Sequence, residues 1–121
     1  MNITLYHNPQ WSKSRQALSI LQEKDVTLTI IDYLKTPLTV IELAALAEKL
    51  RLTPREFMRQ HEAIYETENL ADPILTHDAL LQAIVKHPRL LERPIAVTHD
   101  RAVIGRPPEN VLTLLWSKNI R

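Results

Sequence analysis

The sequence predicts an α/β fold with a mixed sheet, laid out as β-α-β, a helical block, then β-β-α. Three features predict it. A β-branched segment at 26–34 follows the first helical pattern, so the crossover between the first two strands is too long for a hairpin and joins them in parallel. Capped helical patterns fill residues 39–90. Near the end, two short apolar runs are separated by only two residues, as in a hairpin.

Residues 2–7 (NITLYH) carry Ile3, Leu5 and Tyr6 and read as a strand, which His7-Asn8-Pro9-Gln10 breaks. From Ser12, the expected N-cap, a helix follows with Ser14, Ala17, Leu18 and Leu21 on one face; Lys24-Asp25 ends it. The second strand is VTLTIIDYL, stopped at Thr36-Pro37. Thr39 with Glu42 is a capping box that opens a helix to about Leu50, its apolar residues being Ile41, Leu43, Ala44, Leu46, Ala47 and Leu50. Thr53-Pro54 starts another helix. Thr76 caps a third, running through Ala79, Leu80, Ala83, Ile84 and Val85 to the stop at His87-Pro88. Residues 95–98 and 101–104 form the hairpin around His99-Asp100, and Pro107-Pro108-Glu109 starts a final helix with Val111, Leu112, Leu114 and Leu115 on its apolar side.

A βαβ half followed by a ββα half is the thioredoxin- or glutaredoxin-like arrangement, with residues 39–90 as a helical insertion between the halves. The expectation is one domain over 1–121. Apolar residues make up 45% and charged residues 24%, the balance of a globular domain with a core. The net charge of +1 gives no electrostatic case for nucleic acid or an acidic membrane as partner. No apolar run reaches the roughly 18 residues of a membrane-spanning helix. The opening residues lack a basic segment followed by an apolar one, so the expected location is cytoplasmic. Cysteine is absent, which excludes disulfides, thiolate metal sites and a cysteine nucleophile. The single glycine, Gly105, excludes glycine-rich phosphate loops.

Three places could carry chemistry. At the first strand-to-helix turn, residues 7–15, a helix N-terminus offers unpaired N–H groups to an anion, helped by Ser12, Lys13, Ser14 and Arg15; plain N-capping is the alternative. Arg93-Pro94 precedes the third strand, where an X-Pro bond can be cis. Arg106 lies between the only glycine and Pro107-Pro108, well placed to fork onto an oxyanion. For both arginines the alternative is a solvated surface side chain. The five histidines show no ligand spacing for a metal, and no local Ser-His-Asp pattern stands out.

These places coincide with one family. His7-Asn8-Pro9-Gln10-Trp11-Ser12-Lys13-Ser14-Arg15 resembles the ArsC signature His-x3-Cys-x3-Arg with its flanking residues. Tyr33-Leu34-Lys35-Thr36-Pro37, Phe57-Met58-Arg59 with Tyr65, Glu92-Arg93-Pro94-Ile95-Ala96-Val97 and Gly105-Arg106-Pro107-Pro108-Glu109 resemble further family segments, in order, over residues 5–115. The chain is thus similar to the ArsC-type, glutaredoxin-linked arsenate reductases. The resemblance implies a cysteine that attacks arsenate, glutathione as co-substrate and glutaredoxin as partner; no bound cofactor and no metal are expected. It implies oxyanion contacts, to arsenate, phosphate or sulfate, at Arg59, Arg93 and Arg106. It also implies a supporting loop of His7, Asn8, Ser12, Ser14 and Arg15.

Trp11 occupies the family's cysteine position. An indole offers one N–H donor and no nucleophilic lone pair, and a serine hydroxyl cannot cycle through thiol redox chemistry. The expectation is therefore a family protein without reductase activity that keeps oxyanion or glutathione binding. The alternatives are a cysteine-substituted form of an active reductase and an interaction module like the Spx-type regulators, which share the fold and bind RNA polymerase. Against the latter, the Cys-x-x-Cys usual in Spx proteins is missing. Trp11 itself reads either as packing against a neighbouring loop or partner, or as an N–H donor to an anion.

Overall fold

The computed structural model describes residues 1–115, which cluster into two compact units. The first joins residues 1–36 to those from Arg93 onward; the second is Pro37–Glu92.

In the first unit β1 (Asn2–His7), α1 (Ser12–Gln22) and β2 (Thr27–Asp32) form the βαβ half, and β3 (Ile95–Val97), β4 (Ala102–Ile104) and a 3-10 helix (Pro108–Leu115) follow. The sheet order is β2-β1-β3-β4. β1 and β2 run parallel from Asn2↔Thr27 to His7↔Asp32, while β3 is antiparallel to both its neighbours. The mixed sheet expected from the element order is therefore present. Alternation along β1 sends Ile3 and Leu5 inward against Ala17 and Leu21 of α1, and Ala96, Val111 and Leu114 complete this core. Each fully buried leucine among them contributes about 2 kcal/mol of apolar transfer. The helix face read from spacing is the buried one: Ser14, Ala17 and Leu21.

Several boundaries differ from the sequence reading, each for a local hydrogen-bonding reason. β2 stops at Asp32 rather than 34 because the Asp32 carbonyl accepts Lys35 N–H (3.0 Å) and Thr36 N–H (2.9 Å). The Asp32 carboxylate meanwhile accepts Leu34 N–H (3.1 Å), closing a turn. In the hairpin, Thr98 and Arg101 leave the strands: Thr98 N–H donates to the Arg101 carbonyl (2.8 Å) and Arg101 N–H to Thr98 Oγ1 (3.1 Å). The last helix is of the tighter 3-10 type, and the Arg101 guanidinium fastens it by donating to the Leu114 carbonyl at 2.8 Å.

In the second unit α2 (Val40–Leu50) begins at the expected capping box: Glu42 N–H donates to Thr39 Oγ1 (3.2 Å) and Thr39 N–H to Glu42 Oε1 (2.9 Å). α4 (His77–Lys86) is capped by Thr76, as its sequence predicts. The helix expected at Thr53-Pro54 is a single 3-10 turn, Pro54–Phe57, and a short α3 (Ala63–Thr67) has no counterpart in the sequence reading. Another 3-10 turn, Pro88–Leu90, leads to the Met58↔Leu91 bridge. Leu43, Leu46, Phe57, Leu80, Ile84 and Leu90 are buried, whereas Ile41 is 82% exposed despite its apolar character. Arg55 holds the loop after α3, donating to the Tyr65 hydroxyl (2.9 Å), the Leu70 carbonyl and the Asp72 carbonyl (3.1 Å). Among the described residues, no helix is long and apolar enough to cross a membrane.

Candidate functional site at one end of the sheet

Strand pairing places the candidate residues of the first unit. Tyr6 pairs with Ile95, so the loop leaving β1 lies beside Arg93-Pro94 entering β3. Ile95 pairs with Ile104, so Gly105-Arg106 leaving β4 lies there too.

The loop between β1 and α1 is built by its own polar groups. Asn8 Oδ1 accepts Gln10 N–H (3.1 Å) and the Asn8 carbonyl accepts Trp11 N–H (3.1 Å), which turns the chain at Pro9. Trp11, not Ser12, is the N-cap of α1: it is extended (φ −107°, ψ 130°) and its carbonyl accepts Arg15 N–H at 3.0 Å. Its side chain caps nothing, and Ser12 is the first helical residue, exposed. The expected cap is displaced because the Asn8 turn ends one residue earlier. Arg15, also exposed, reaches back to the Pro9 carbonyl (3.0 Å).

Ser14 is fully buried and carries the loop. Its Oγ accepts Asn8 N–H at 2.9 Å and lies 2.6 Å from His7 Nδ1. Burial pushes the His7 imidazole below its ordinary pKa; the Asp32 carboxylate opposes this and the Arg15 charge adds to it. A neutral imidazole follows, hydrogen-bonded through Nδ1 to the Ser14 hydroxyl. A serine against a neutral histidine has the parts of an activated nucleophile. Here no substrate can reach an oxygen that is fully buried and already holds a backbone N–H, so the pair is structural. Ser14→Ala is expected to strand the Asn8 N–H and destabilise the fold by about 1–3 kcal/mol. Urea unfolding checks this, and a loss below about 0.5 kcal/mol, within ordinary surface variation, would show the hydroxyl to be dispensable.

Arg93 is 4% exposed and joined to Pro94 by a cis bond, which the X-Pro sequence allowed. Its guanidinium carbon lies 3.7 Å from the centroid of the Trp11 ring, a cation–π stack. Trp11 remains 41% exposed. Stacking uses the flat face of the guanidinium and leaves the N–H fork in the plane of the group. Gly105 N–H donates to the Pro94 carbonyl (2.8 Å), drawing the two entering and leaving segments together. Arg106 follows, exposed, with a second cis X-Pro bond to Pro107, and its carbonyl accepts Asn110 Nδ2–H at 3.1 Å.

Arg59 lies in the second unit. It is ion-paired with Glu62, Nη1 to Oε2 at 2.7 Å, a partner that the sequence reading missed. Only the i, i+3 spacing could have signalled it. Among the described residues no group of three or more His, Asp or Glu could hold a metal ion.

This sheet, with a helix launched from the tip of β1 beside an X-Pro segment, defines a thioredoxin-like α/β protein with an arginine-bearing end. The ArsC family model matches residues 6–114, running through both units. The chain is 44% identical over 114 residues to an arsenate reductase of Neisseria meningitidis, covering 93% of this chain and 97% of that protein. It is 46% identical over 114 residues to YfgD of Escherichia coli K12, at 93% and 96% coverage. The structure of an arsenate reductase from Vibrio cholerae aligns with a TM-score of 0.90 at 44% identity, covering 93% and 97% of the two chains. The chain belongs to the ArsC family.

Proposed function

We propose that this ArsC-family chain binds a small oxyanion without reducing it. The observation that carries the reading is the Trp11 indole at the tip of the first turn, stacked on Arg93, in a chain with no cysteine. Reduction of arsenate in the family needs a thiolate of lowered pKa at this turn. Ser12 is an exposed hydroxyl, which without an activating base is a poor nucleophile, and Ser14 is buried in the loop. The resemblance assigns oxyanion contacts to Arg93 and Arg106 in the first unit and to Arg59 in the second. His7, Asn8, Ser14 and Arg15 shape the turn through the bonds described above, and Ser12 starts the helix. Arsenate, phosphate and sulfate share the tetrahedral oxygens that an arginine fork recognises. Glutathione and glutaredoxin, co-substrate and partner in the resemblance, have no thiol on this chain to react with.

The purified protein with arsenate, glutathione and glutaredoxin is expected to release no arsenite, while sulfate or arsenate raises its melting temperature. At about 100 times the dissociation constant the ligand adds about 2.7 kcal/mol. Sustained arsenite release by the unchanged chain would overturn the reading.

A further inference from the structure

Arg59, an assigned oxyanion contact, is ion-paired with the Glu62 carboxylate. The pair is set by the backbone: Glu62 N–H donates to the Arg59 carbonyl (3.2 Å), and Arg59 N–H is anchored on the Leu90 carbonyl (2.7 Å). Glu62 is the N-cap residue of α3, extended at φ −68° and ψ 140°, yet its side chain caps nothing. It turns to Arg59 instead, and its other oxygen lies 3.9 Å from Arg89 Nε. A carboxylate thus sits among two guanidinium groups, in a cluster of net charge +1. The Arg59 and Glu62 side chains are 18% and 25% exposed, shielded enough for the charge-assisted bond to persist and open enough for exchange with solvent ions.

We propose that Glu62 is a resident counter-anion of Arg59 which an incoming oxyanion displaces, so that it sets the threshold for anion binding. This rests on the reading that Arg59 contacts the oxyanion. A carboxylate and a tetrahedral oxyanion make the same demand on an arginine fork, parallel N–H donors and one positive charge. They therefore compete, and the resident group has the advantage of being tethered three residues away. Arg89 moderates the competition by drawing part of the carboxylate's charge.

The test is sulfate titration by calorimetry on the full chain, with the melting curve of each variant recorded to establish folding. Glu62→Gln removes the charge with little change of shape and is expected to tighten sulfate about fivefold. Glu48→Gln makes the same change of net charge at an exposed α2 position and is expected to alter affinity less than twofold. Arg89→Gln is expected to weaken sulfate about twofold, and to have no effect when Glu62→Gln is present. This coupled arm decides the matter independently of the size of the first effect. The inference is overturned if Glu62→Gln leaves affinity unchanged, gains no more than Glu48→Gln, or keeps its full gain when Arg59→Gln is added. Sulfate binding by none of the proteins, Trp11→Cys included, would defeat the oxyanion reading and this inference together; binding by wild type that Glu62→Gln does not tighten would defeat the inference alone.

Discussion

Trp11→Cys is expected to give the chain arsenate reductase activity, at least about 100-fold above the unchanged protein, with glutathione and glutaredoxin supplied. The hydrogen bonds that close the turn come from backbone groups and from Asn8, Ser14 and His7. Asn8 closes the turn through its carbonyl and its side chain. Ser14 holds Asn8 and His7, and Trp11 supplies its own N–H and carbonyl. Any residue but proline at position 11 makes those backbone bonds. A thiol there would stand at the N-terminus of the 11-residue α1, with no acidic residue in the first turn and Arg93 beside it. Helix dipole and guanidinium both favour the thiolate, the form that attacks. The stack that is lost joins a 41% exposed ring to Arg93 and contributes about 1 kcal/mol. Folding therefore survives the change. Arsenite production followed over time is the measurement. A folded variant that binds arsenate and does not turn it over would show that the site lacks more than its sulfur.

Gly105→Ala is expected to cost about 1–3 kcal/mol and lower the melting temperature by roughly 5–15 °C. A Cβ at Gly105 would lie 2.9 Å from Pro94 Cγ and 3.0 Å from Val111 Cγ1, with Ala17 Cβ at 3.6 Å. The first neighbour is a rigid ring and the second a fully buried core side chain, so neither yields cheaply. The backbone cannot retreat without losing the bond from Gly105 N–H to the Pro94 carbonyl. Both arginine segments of this unit are joined at that contact, so sulfate affinity should fall along with stability. Adding Val111→Ala removes one of the two clashes and should cost less than the sum of the single changes, which a double-mutant cycle in thermal unfolding measures. Strict additivity would place the strain elsewhere.

Much of this was legible along the chain. Period and capping chemistry are local, so the buried face of Ser14, Ala17 and Leu21, the Thr39–Glu42 box and the Thr76 cap could be read from spacing. The β3–β4 hairpin followed from two short apolar runs close together. Local signals failed where a distant or non-periodic group decided the outcome. Ser12 has the chemistry of an N-cap, but the Asn8 turn had already placed Trp11 there. The α3 helix is only five residues long, too short to show a period. Arg55 was unmarked because the carbonyls it holds lie 15 and 17 residues further on.

By itself the sequence determined the strand and helix order and the absence of any sulfur nucleophile, since both are properties of the chain and no folding can alter them. Only the tertiary structure decided that the Trp11 ring lies on Arg93, because residues 82 positions apart meet only once antiparallel pairing sets Tyr6 against Ile95. It likewise decided that Glu62 turns to Arg59 rather than to its own helix: spacing permits both choices, and the packed neighbourhood selects one.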